Sequence, residues 1–408
     1  MTGRQPAVLQ RAAPIRLLLV TDTAILGRGG SERFICNLLG GLDHRQFRID
    51  VLQLIEPPSP SERLRDPPPG EHIRLEYRPV DAVYGRRGRA VYRELRERVA
   101  GGSYDIVQSQ HEKSDILCAL LPRIPGGPLR ISNRRDMGFQ KNRLLHAGFR
   151  AINHRFDRVI APSKAILDAL VRNESVRRER TQCLPNGVDA ERFAPMPAAQ
   201  RDAARQRFGL RADAFVFGCV ARMAPVKRHE DLIAGFAAAA EQRSDAQLVL
   251  VGGGPLEEQL RRQAQLAGVG DRVLFCGERR DIEQVLPLFD CFVLASSTEG
   301  MSNAALEAMA CALPVIATAV GGNVEVVDSP RTGLLVPAHS PVRIAAAMRE
   351  LLAHPERARQ MGALARQTVE ARFSIDAMVR AFAQFYQALQ PAGMALGGAL
   401  PAAAKPCA

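Results

Sequence analysis

Short apolar runs alternate with stretches of helical periodicity along most of the chain. In the first half the runs lie at residues 15–22, 49–55, 73–77, 105–110, 129–133 and 158–163. The pattern starts again in the second half, with runs at residues 214–222, 247–255, 272–277, 291–297, 314–322 and 333–337. Apolar runs of this length, separated by helices, are typical of parallel strands buried on both faces. The pattern therefore predicts an α/β chain with two doubly wound, Rossmann-like parallel sheets.

The two halves are joined by residues 184–197, which carry an Asn-Gly turn and several prolines and read as an interdomain connection. We expect a disordered tail at 1–14, a first domain at 15–190, a second domain at 191–373, a helix at 374–390 that crosses back to the first domain, and a disordered tail at 391–408. Proline-rich residues 56–70 are predicted to form a surface loop. Because doubly wound sheets bind ligands at the carboxyl ends of their strands, the two domains are expected to face one another across a cleft.

Length and composition limit the class of protein. A chain of 408 residues with 46% hydrophobic content is long enough for two domain cores. Its apolar runs are shorter than the roughly 20 residues needed to cross a bilayer, and the amino terminus lacks the pattern of an export signal. The eight cysteines stand singly, with no Cys-x-x-Cys pair. We therefore expect a cytoplasmic protein without a zinc site or disulfide framework.

The net charge of +12 lies almost entirely before residue 195. Six arginines crowd one predicted helix, at positions 86, 87, 89, 93, 96 and 98. Two interpretations stay open: a solvated arginine-rich face, or a surface that contacts anionic lipid headgroups or an acidic acceptor. Nucleic acid is not an expected partner, because only five tyrosines, no tryptophan and no RNA-binding motif accompany the charge.

The stretch "TEGMSNAALEAMA" at residues 298–310 is the strongest candidate for chemistry. Gly300 and the helix formers that follow predict a helix beginning near Ser302 or Asn303, with Glu299 at its mouth and Glu307 in its second turn. Free N–H groups at a helix start bind anions, whereas carboxylates accept hydrogen bonds from hydroxyl groups. A ligand with a sugar, a diphosphate and a ribose would use all three features. Each glutamate alone is explained equally well as a structural or capping residue.

Two further elements carry candidate phosphate ligands. Arg222 and Lys227 follow a predicted strand, where two cations can neutralise a diphosphate. Gly29 and Gly30 lie in the first βα turn, where the absence of side chains lets the backbone approach a phosphate closely. Taken singly, the cations are also compatible with solvated surface charges and the glycines with a tight turn.

Together these elements resemble the GT-B fold glycosyltransferases, and specifically the retaining enzymes of family 4. The resemblance spans about residues 15–390. Its most specific part is "EGMSNAALEAMACALPVIATAVGGNVEVV" at 299–327, which is similar to the E-x7-E signature of that family and the strand and turn after it. The segments "PNGVDAERF", "VGGGP" and "GGSERF" are weaker matches.

The resemblance implies roles for these residues in binding a nucleotide-diphosphate sugar. Arg222 and Lys227 would bind the diphosphate, and Glu307 the ribose hydroxyls. Glu299 and the backbone amides of Gly300, Met301, Ser302 and Asn303 would bind the transferred sugar and the β-phosphate. Gly29 and Gly30 of the first βα turn would close over that phosphate from the other domain. No cofactor and no metal ion are implied, since the sequence contains no Asp-x-Asp triplet.

One departure from the family concerns a histidine near the acceptor and the donor sugar. Relatives commonly have His-x-His after the fourth strand, whereas this chain reads "QSQHEKSD", with Gln110 in the second histidine's place and His111 next to it. We predict that His111 points into the site; the alternative is an ordinary surface histidine. Arg228 stands where many relatives have glycine. Residues 134–136 either help select the acceptor or form a local salt-bridge cluster.

The leading hypothesis is a hexosyltransferase that moves a sugar from a nucleotide donor to a lipid-linked or glycan acceptor. Such an enzyme would serve cell-surface polysaccharide or glycolipid synthesis, as a peripheral protein on the inner face of the cell membrane. The alternatives are a nucleotide-sugar epimerase of the same fold and a binding subunit that has lost turnover. A dehydrogenase is disfavoured, because "VGGGP" is not a complete Gly-x-Gly-x-x-Gly and no acidic residue follows at the ribose position.

Overall fold

A computed structural model describes residues 13–23, 25, 30–56, 72–138, 143–241 and 245–389. All of the predicted tail at 391–408, most of the one at 1–14 and most of the loop predicted at 56–70 lie outside the described residues. The described chain divides into two compact units. The first holds the residues up to Asn133, residues 151–159 and those from Phe382 onward; the second holds residues 134–150 and 160–381.

The first sheet and its helices follow the predicted alternation. The elements are β1 (Ile15–Thr21), α1 (Gly30–Gly41), β2 (Phe47–Gln53), β3 (Ile73–Tyr77), α2 (Arg86–Ala100), β4 (Ile106–Gln110), α3 (Glu112–Leu120), β5 (Leu129–Asn133), α4 (Arg143–Ile152), β6 (Arg158–Ala161), α5 (Lys164–Glu174) and β7 (Thr181–Cys183). The strand order is β3-β2-β1-β4-β5-β6-β7. Parallel pairing joins β1 to β2 and β4, with Leu17 opposite both Ile49 and Ile106. The order of the strands reverses between β1 and β4.

The second sheet repeats this arrangement. Its elements are α6 (Ala198–Arg207), β8 (Phe215–Val220), α7 (His229–Ala240), β9 (Ala246–Val251), α8 (Glu257–Leu266), β10 (Val273–Phe275), α9 (Ile282–Val285), β11 (Cys291–Leu294), α10 (Asn303–Ala310), β12 (Val315–Thr318), α11 (Asn323–Val326), β13 (Gly333–Val336), α12 (Pro341–Ala353) and α13 (Pro355–Arg372), followed by α14 (Ile375–Ala388). The strand order is β10-β9-β8-β11-β12-β13, with every neighbouring pair parallel. Two doubly wound parallel sheets are thus confirmed.

The second sheet is buried on both faces, which explains the continuous apolar runs of its strands. In β9, Leu248 and Leu250 belong to one hydrophobic cluster, with helices α7 and α12. Their neighbours Val249 and Val251 belong to the other cluster, with α10 and the end of α13. Successive side chains of a strand point to opposite faces, so each apolar run supplies both layers of the core.

The carboxyl-terminal residues pack inside the first unit. Phe382 lies against Phe34, with ring centroids 5.3 Å apart, and Tyr386 lies against Phe47 at 6.0 Å. The buried hydroxyl of Tyr386 donates a 2.9 Å hydrogen bond to Oε1 of Gln108 in β4. Within the described part of the chain, every helix is too short or too polar to cross a lipid bilayer.

Candidate functional site

Three of the predicted site residues lie where the second sheet reverses its strand order, between β8 and β11. Arg222 and Lys227 follow β8, and Glu299 follows β11, the neighbour of β8 in the sheet. The carboxyl ends of the two strands that flank such a reversal form the crevice in which doubly wound sheets bind ligands. Residues far apart in the sequence are therefore brought to one edge of the sheet.

The loop that carries Arg222 is fixed by glycines of the neighbouring loop. A Cβ atom on Gly252 would lie 2.2 Å from the carbonyl oxygen of Ala221, and one on Gly254 would lie 2.4 Å from that of Met223. The two glycines have φ values of 128° and 155°, which residues with side chains rarely adopt. The "VGGGP" segment thus lets two loops approach each other closely.

Lys227 and Glu299 form an ion pair at this edge. Nζ of Lys227 lies 2.5 Å from Oε1 of Glu299, and the hydroxyl of Ser296 donates to the same oxygen at 2.7 Å. Glu299 is 9% exposed, whereas a quarter of the Lys227 side chain remains accessible. The backbone N–H of Ser297 donates to the carbonyl of Val226 at 2.9 Å. The cationic loop and the acidic loop are therefore held together, with the ammonium group at their junction.

A glycine pair supports the loop that contains Glu299. Gly321 has a φ of 51°, and a Cβ atom there would lie 1.7 Å from the carbonyl oxygen of Glu299. A Cβ atom on Gly322 would lie 2.1 Å from the carbonyl oxygen of Gly300. The N–H of Gly322 donates a 3.1 Å hydrogen bond to the backbone carbonyl oxygen of Glu299. Sequence reasoning placed these glycines in the family signature without a role; their role is to let the two segments of backbone touch.

Helix α10 begins where the sequence predicts. Ser302 is its N-cap, and the Ser302 hydroxyl accepts a 3.2 Å hydrogen bond from the N–H of Ala305. Glu299 therefore lies in the loop before the helix, as predicted. Glu307 lies in the second turn and is buried. Met301 is also buried, and its sulfur accepts a 3.4 Å hydrogen bond from the N–H of Asn186.

Arg222 and Arg228 differ in their surroundings. Arg222 is exposed and has no ion-pair partner among the described residues. Arg228 precedes α7 with a φ of 51°, and its guanidinium contacts Asp231 at 2.9 Å and Glu230 at 2.7 Å. A left-handed backbone favours glycine, so Arg228 adopts a conformation that residues with side chains seldom adopt. Arg228 is thus paired with two acidic residues of α7, whereas Arg222 is available to a ligand.

In the first unit, Gln110 and His111 have different positions. Gln110 ends β4 and is buried, where its Oε1 accepts a hydrogen bond from Asn133 at 3.2 Å. His111 comes directly after the strand with a φ of 78°, at the reversal between β1 and β4. The carboxylate of Asp22, which sequence reasoning missed, accepts hydrogen bonds from the N–H groups of Lys113 and Ser114 at 2.7 and 2.9 Å. Asp22 thereby caps α3 beside His111.

The predicted first βα turn is described only in part. Gly30 is the first residue of α1, and Gly29 lies outside the described residues.

The arginines of residues 134–136 have different partners. Arg134 is buried and lies 3.3 Å from the carboxylate of Glu174, while its guanidinium lies over the ring of Phe149. Arg134 thus belongs to a salt-bridge cluster, which agrees with one of the two interpretations of this segment. Arg135 contacts Asn186 instead, and Asp136 accepts a hydrogen bond from the N–H of Gly138.

Comparison with known proteins agrees with these features. The family model described as Glycosyltransferase Family 4 matches residues 28–192, and the one described as Glycosyl transferases group 1 matches residues 200–368. EpsF of Bacillus subtilis, which carries the name of a glycosyltransferase, is 30% identical over 311 residues, or 71% of this chain and 76% of EpsF. A GDP-mannose-dependent alpha-(1-6)-phosphatidylinositol monomannoside mannosyltransferase of Mycobacterium tuberculosis is 38% identical over 213 residues. That match spans 50% of this chain and only 54% of the relative.

Solved structures show the same fold at low sequence identity. HepE of Anabaena in complex with UDP has a TM-score of 0.77 and 21% identity, over 92% of this chain and all of that one. Sucrose-phosphate synthase from Thermosynechococcus elongatus has a TM-score of 0.74 and 24% identity, over 92% of this chain and 99% of that one. With two doubly wound sheets, a match to both family models and a relative aligned over most of its length, the chain belongs to glycosyltransferase family 4 and has the GT-B fold.

Proposed function

We propose that this protein is a retaining glycosyltransferase that moves a hexose-type sugar from a nucleotide-diphosphate donor to a lipid-linked or glycan acceptor. The observation that carries the proposal is the Lys227–Glu299 ion pair, held at the strand reversal just before the amino end of α10. A cation, a carboxylate and the backbone N–H groups of a helix start lie next to one another there. A nucleotide-diphosphate sugar offers a matching anion and matching hydroxyl groups.

The diphosphate is bound by charge and by the backbone in this proposal. Arg222 and Lys227 supply two cations, of which Arg222 is exposed. The N–H groups of residues 300–303 point from the loop and the first turn of α10, where the helix dipole favours an anion. Binding of the diphosphate draws Lys227 from Glu299 toward the phosphate oxygens. The carboxylate of Glu299 then accepts hydrogen bonds from the sugar hydroxyls.

Glu307 serves the nucleoside side of the donor. It lies in the second turn of α10, whereas Glu299 lies in the loop before the helix, and it is 5% exposed. A buried carboxylate at this distance accepts hydrogen bonds from the two ribose hydroxyls without meeting the phosphates. The position of Glu307 on a helix fixes its distance from the sugar site. In this proposal the two glutamates therefore contact the sugar and the ribose of one donor molecule.

The chemical step follows from the groups at the site. The bond between the anomeric carbon and the β-phosphate oxygen breaks, the acceptor hydroxyl oxygen attacks the same face, and its proton passes to the departing phosphate. The transition state carries negative charge on the leaving group and positive charge on the sugar ring, so cations placed at the phosphate lower the barrier. Arg222 and Lys227 fill this role in place of a metal ion. We also propose that His111 hydrogen-bonds a hydroxyl group of a substrate.

The acceptor is proposed to lie at the inner face of the cell membrane. The mannosyltransferase relatives are named for a phosphatidylinositol acceptor, which supports a lipid-linked one here. In α2, Arg98 pairs with Glu76 and Glu94. Four other arginines of α2 are exposed and recur every three or four residues, at positions 86, 89, 93 and 96. A stripe of this kind gains about 1 kcal/mol per arginine at an anionic lipid surface.

Two experiments test the proposal. Purified protein is screened with nucleotide sugars by thermal shift, since a ligand at 100 times its dissociation constant adds about 2.7 kcal/mol of stability. The stabilising donor is then incubated with a membrane extract, and the product's anomeric configuration is read by NMR. Transfer with retention supports the proposal. Transfer with inversion, an epimerised donor in the absence of acceptor, or no turnover of a bound donor would each overturn it.

The membrane part has its own test. Sedimentation with phosphatidylcholine vesicles is compared with and without phosphatidylglycerol, for the wild type and for a variant with glutamine at positions 86, 89, 93 and 96. A matched control replaces the exposed Arg261 and Arg262 of α8 by glutamine. We expect only the α2 variant to lose its preference for anionic vesicles. Equal sedimentation of all three proteins would contradict the membrane assignment while leaving the donor site untouched.

A further inference from the structure

A chain of hydrogen bonds inside the second unit ends at the first residue of α10. The guanidinium of Arg135 donates through Nη2 to Oδ1 of Asn186 at 2.7 Å. The amide Nδ2 of Asn186 donates in turn to Oδ1 of Asn303, also at 2.7 Å. Asn186 is buried and belongs to the "PNGVD" segment. Two side chains far apart in sequence thus converge on the loop that the donor is proposed to bind.

The direction of these hydrogen bonds is set by chemistry. A guanidinium can only donate, so the oxygen of Asn186 must face Arg135. The NH2 group of Asn186 must then face Asn303, whose oxygen accepts. The amide of Asn303 is consequently turned so that its N–H donors lie on the side away from Asn186. Through Asn186, Arg135 therefore contributes to the orientation of the Asn303 side chain.

The backbone around this relay packs against the same loop. A Cβ atom on Gly300 would lie 3.1 Å from the carbonyl oxygen of Arg135 and 3.0 Å from the Cδ1 atom of Ile166. The N–H of Asn186 contacts the sulfur of Met301 at 3.4 Å. Residues 300–303 are thus held by side chains and by backbone contacts together. Little room is left for the loop to move away from an anion at the helix start.

The charges at this point also favour an anion. The amino end of α10 carries the positive end of the helix dipole, and the guanidinium of Arg135 is separated from Asn303 only by the Asn186 amide. Burial lowers the pKa of Arg135 to about 9, which leaves the group charged at neutral pH. A phosphate group bound at the helix start is attracted by this positive potential.

We propose that Arg135 and Asn186 are positioning residues for the donor's β-phosphate. They act through Asn303 by orienting its amide and the N–H groups of residues 300–303, and Arg135 adds positive potential. This inference rests on the proposed function, because it assumes that a nucleoside diphosphate binds at the start of α10. It assigns to the "PNGVD" segment a role in donor binding beyond that of a connection between domains.

The test is calorimetric titration of whichever of UDP and GDP binds the wild type more tightly, beside the matching monophosphate. Arg135→Gln is expected to raise the dissociation constant of the diphosphate about tenfold and to leave that of the monophosphate unchanged, because only the β-phosphate reaches the helix start. Arg135→Lys, which keeps a charged donor, is expected to recover most of the affinity. A general structural defect would weaken both nucleotides.

A double-mutant cycle tests whether Arg135 acts through Asn186. Asn186→Ala alone should weaken diphosphate binding, and its combination with Arg135→Gln should cost clearly less than the sum of the two single losses. Additive losses would overturn the relay. If Arg135→Gln does not fold, Asn303→Ala tests the same relay from its other end with the same expected tenfold loss. The exposed Arg211, which pairs with Asp213, provides a control in Arg211→Gln with unchanged affinity.

Lys227→Ala separates failure of this inference from failure of the proposed function. If Lys227→Ala loses the diphosphate while Arg135→Gln and Asn303→Ala keep it, the relay has no role and the donor site stands. If the wild type binds neither diphosphate, or Lys227→Ala binds as the wild type does, the donor site itself is wrong. A loss of monophosphate affinity equal to the diphosphate loss would also refute the assignment to the β-phosphate.

Discussion

Acidification should destabilise the second unit through one buried histidine. His229 is the first residue of α7, directly after the loop that carries Lys227, and is 1% exposed. Its Nε2 lies 3.9 Å from the sulfur of the buried Cys219. Burial, together with the smaller effect of the positive charge of Lys227, lowers the pKa of His229 to about 4. The imidazole is therefore neutral in the folded protein at physiological pH.

The size of the effect follows from proton linkage. In the unfolded chain the pKa of a histidine is about 6.5, so the unfolded state takes up the proton first as the pH falls. Stability is therefore lost below about pH 6.5, and the loss levels off below about pH 4, where both states are protonated. Between pH 7 and pH 5 these two pKa values correspond to about 2 kcal/mol of lost unfolding free energy.

The assay is urea unfolding followed by circular dichroism at pH 7 and pH 5, for the wild type and His229→Gln. Glutamine does not titrate, so the wild type should lose about 2 kcal/mol more than the variant between the two pH values. His44→Gln, which removes an exposed histidine of the first unit, is the control and should behave as the wild type. Equal losses for the wild type and His229→Gln would refute the reasoning.

Three further predictions concern the loop and its supports. Gly321→Ala should abolish binding of the nucleoside diphosphate in calorimetry, because the added Cβ would lie 1.7 Å from the carbonyl oxygen of Glu299. Gly268→Ala is the control, since Gly268 also has a positive φ but open space around it. It should lower the free energy of unfolding in urea by only about 1–2 kcal/mol and leave binding intact. Lys227→Ala and Glu299→Gln should each lower the transfer rate about 100-fold in a product assay while the protein stays folded; normal turnover in both would refute the site. Glu174→Gln should lower the unfolding free energy by about 3–5 kcal/mol, because it leaves the buried Arg134 without its carboxylate.

Much of the fold is determined by local patterns in the sequence. The predicted runs became β1 to β6 and β8 to β13. Most of these strands are buried on both faces and need an apolar side chain at nearly every position, whereas the edge strand β3 is only partly buried and alternates apolar with charged residues. The start of α10 was equally readable, since Ser302 can cap a helix and Gly300 disfavours one. The exception is β7 (Thr181–Cys183), which is short and only partly buried, so no apolar run marks it.

The sequence also located the candidate site, but not the contacts that shape it. Arg222, Lys227 and Glu299 could be placed at strand ends, and the order of the strands then brought them to one edge of the sheet. The support of Glu299 by Gly321, the burial of His229 and the relay from Arg135 to Asn303 could not be predicted. A periodic pattern reports which face of an element is apolar, whereas these features depend on contacts between residues distant in sequence. Only the packed tertiary structure decides which of those residues meet, and thereby which charges and carbonyl groups surround the site.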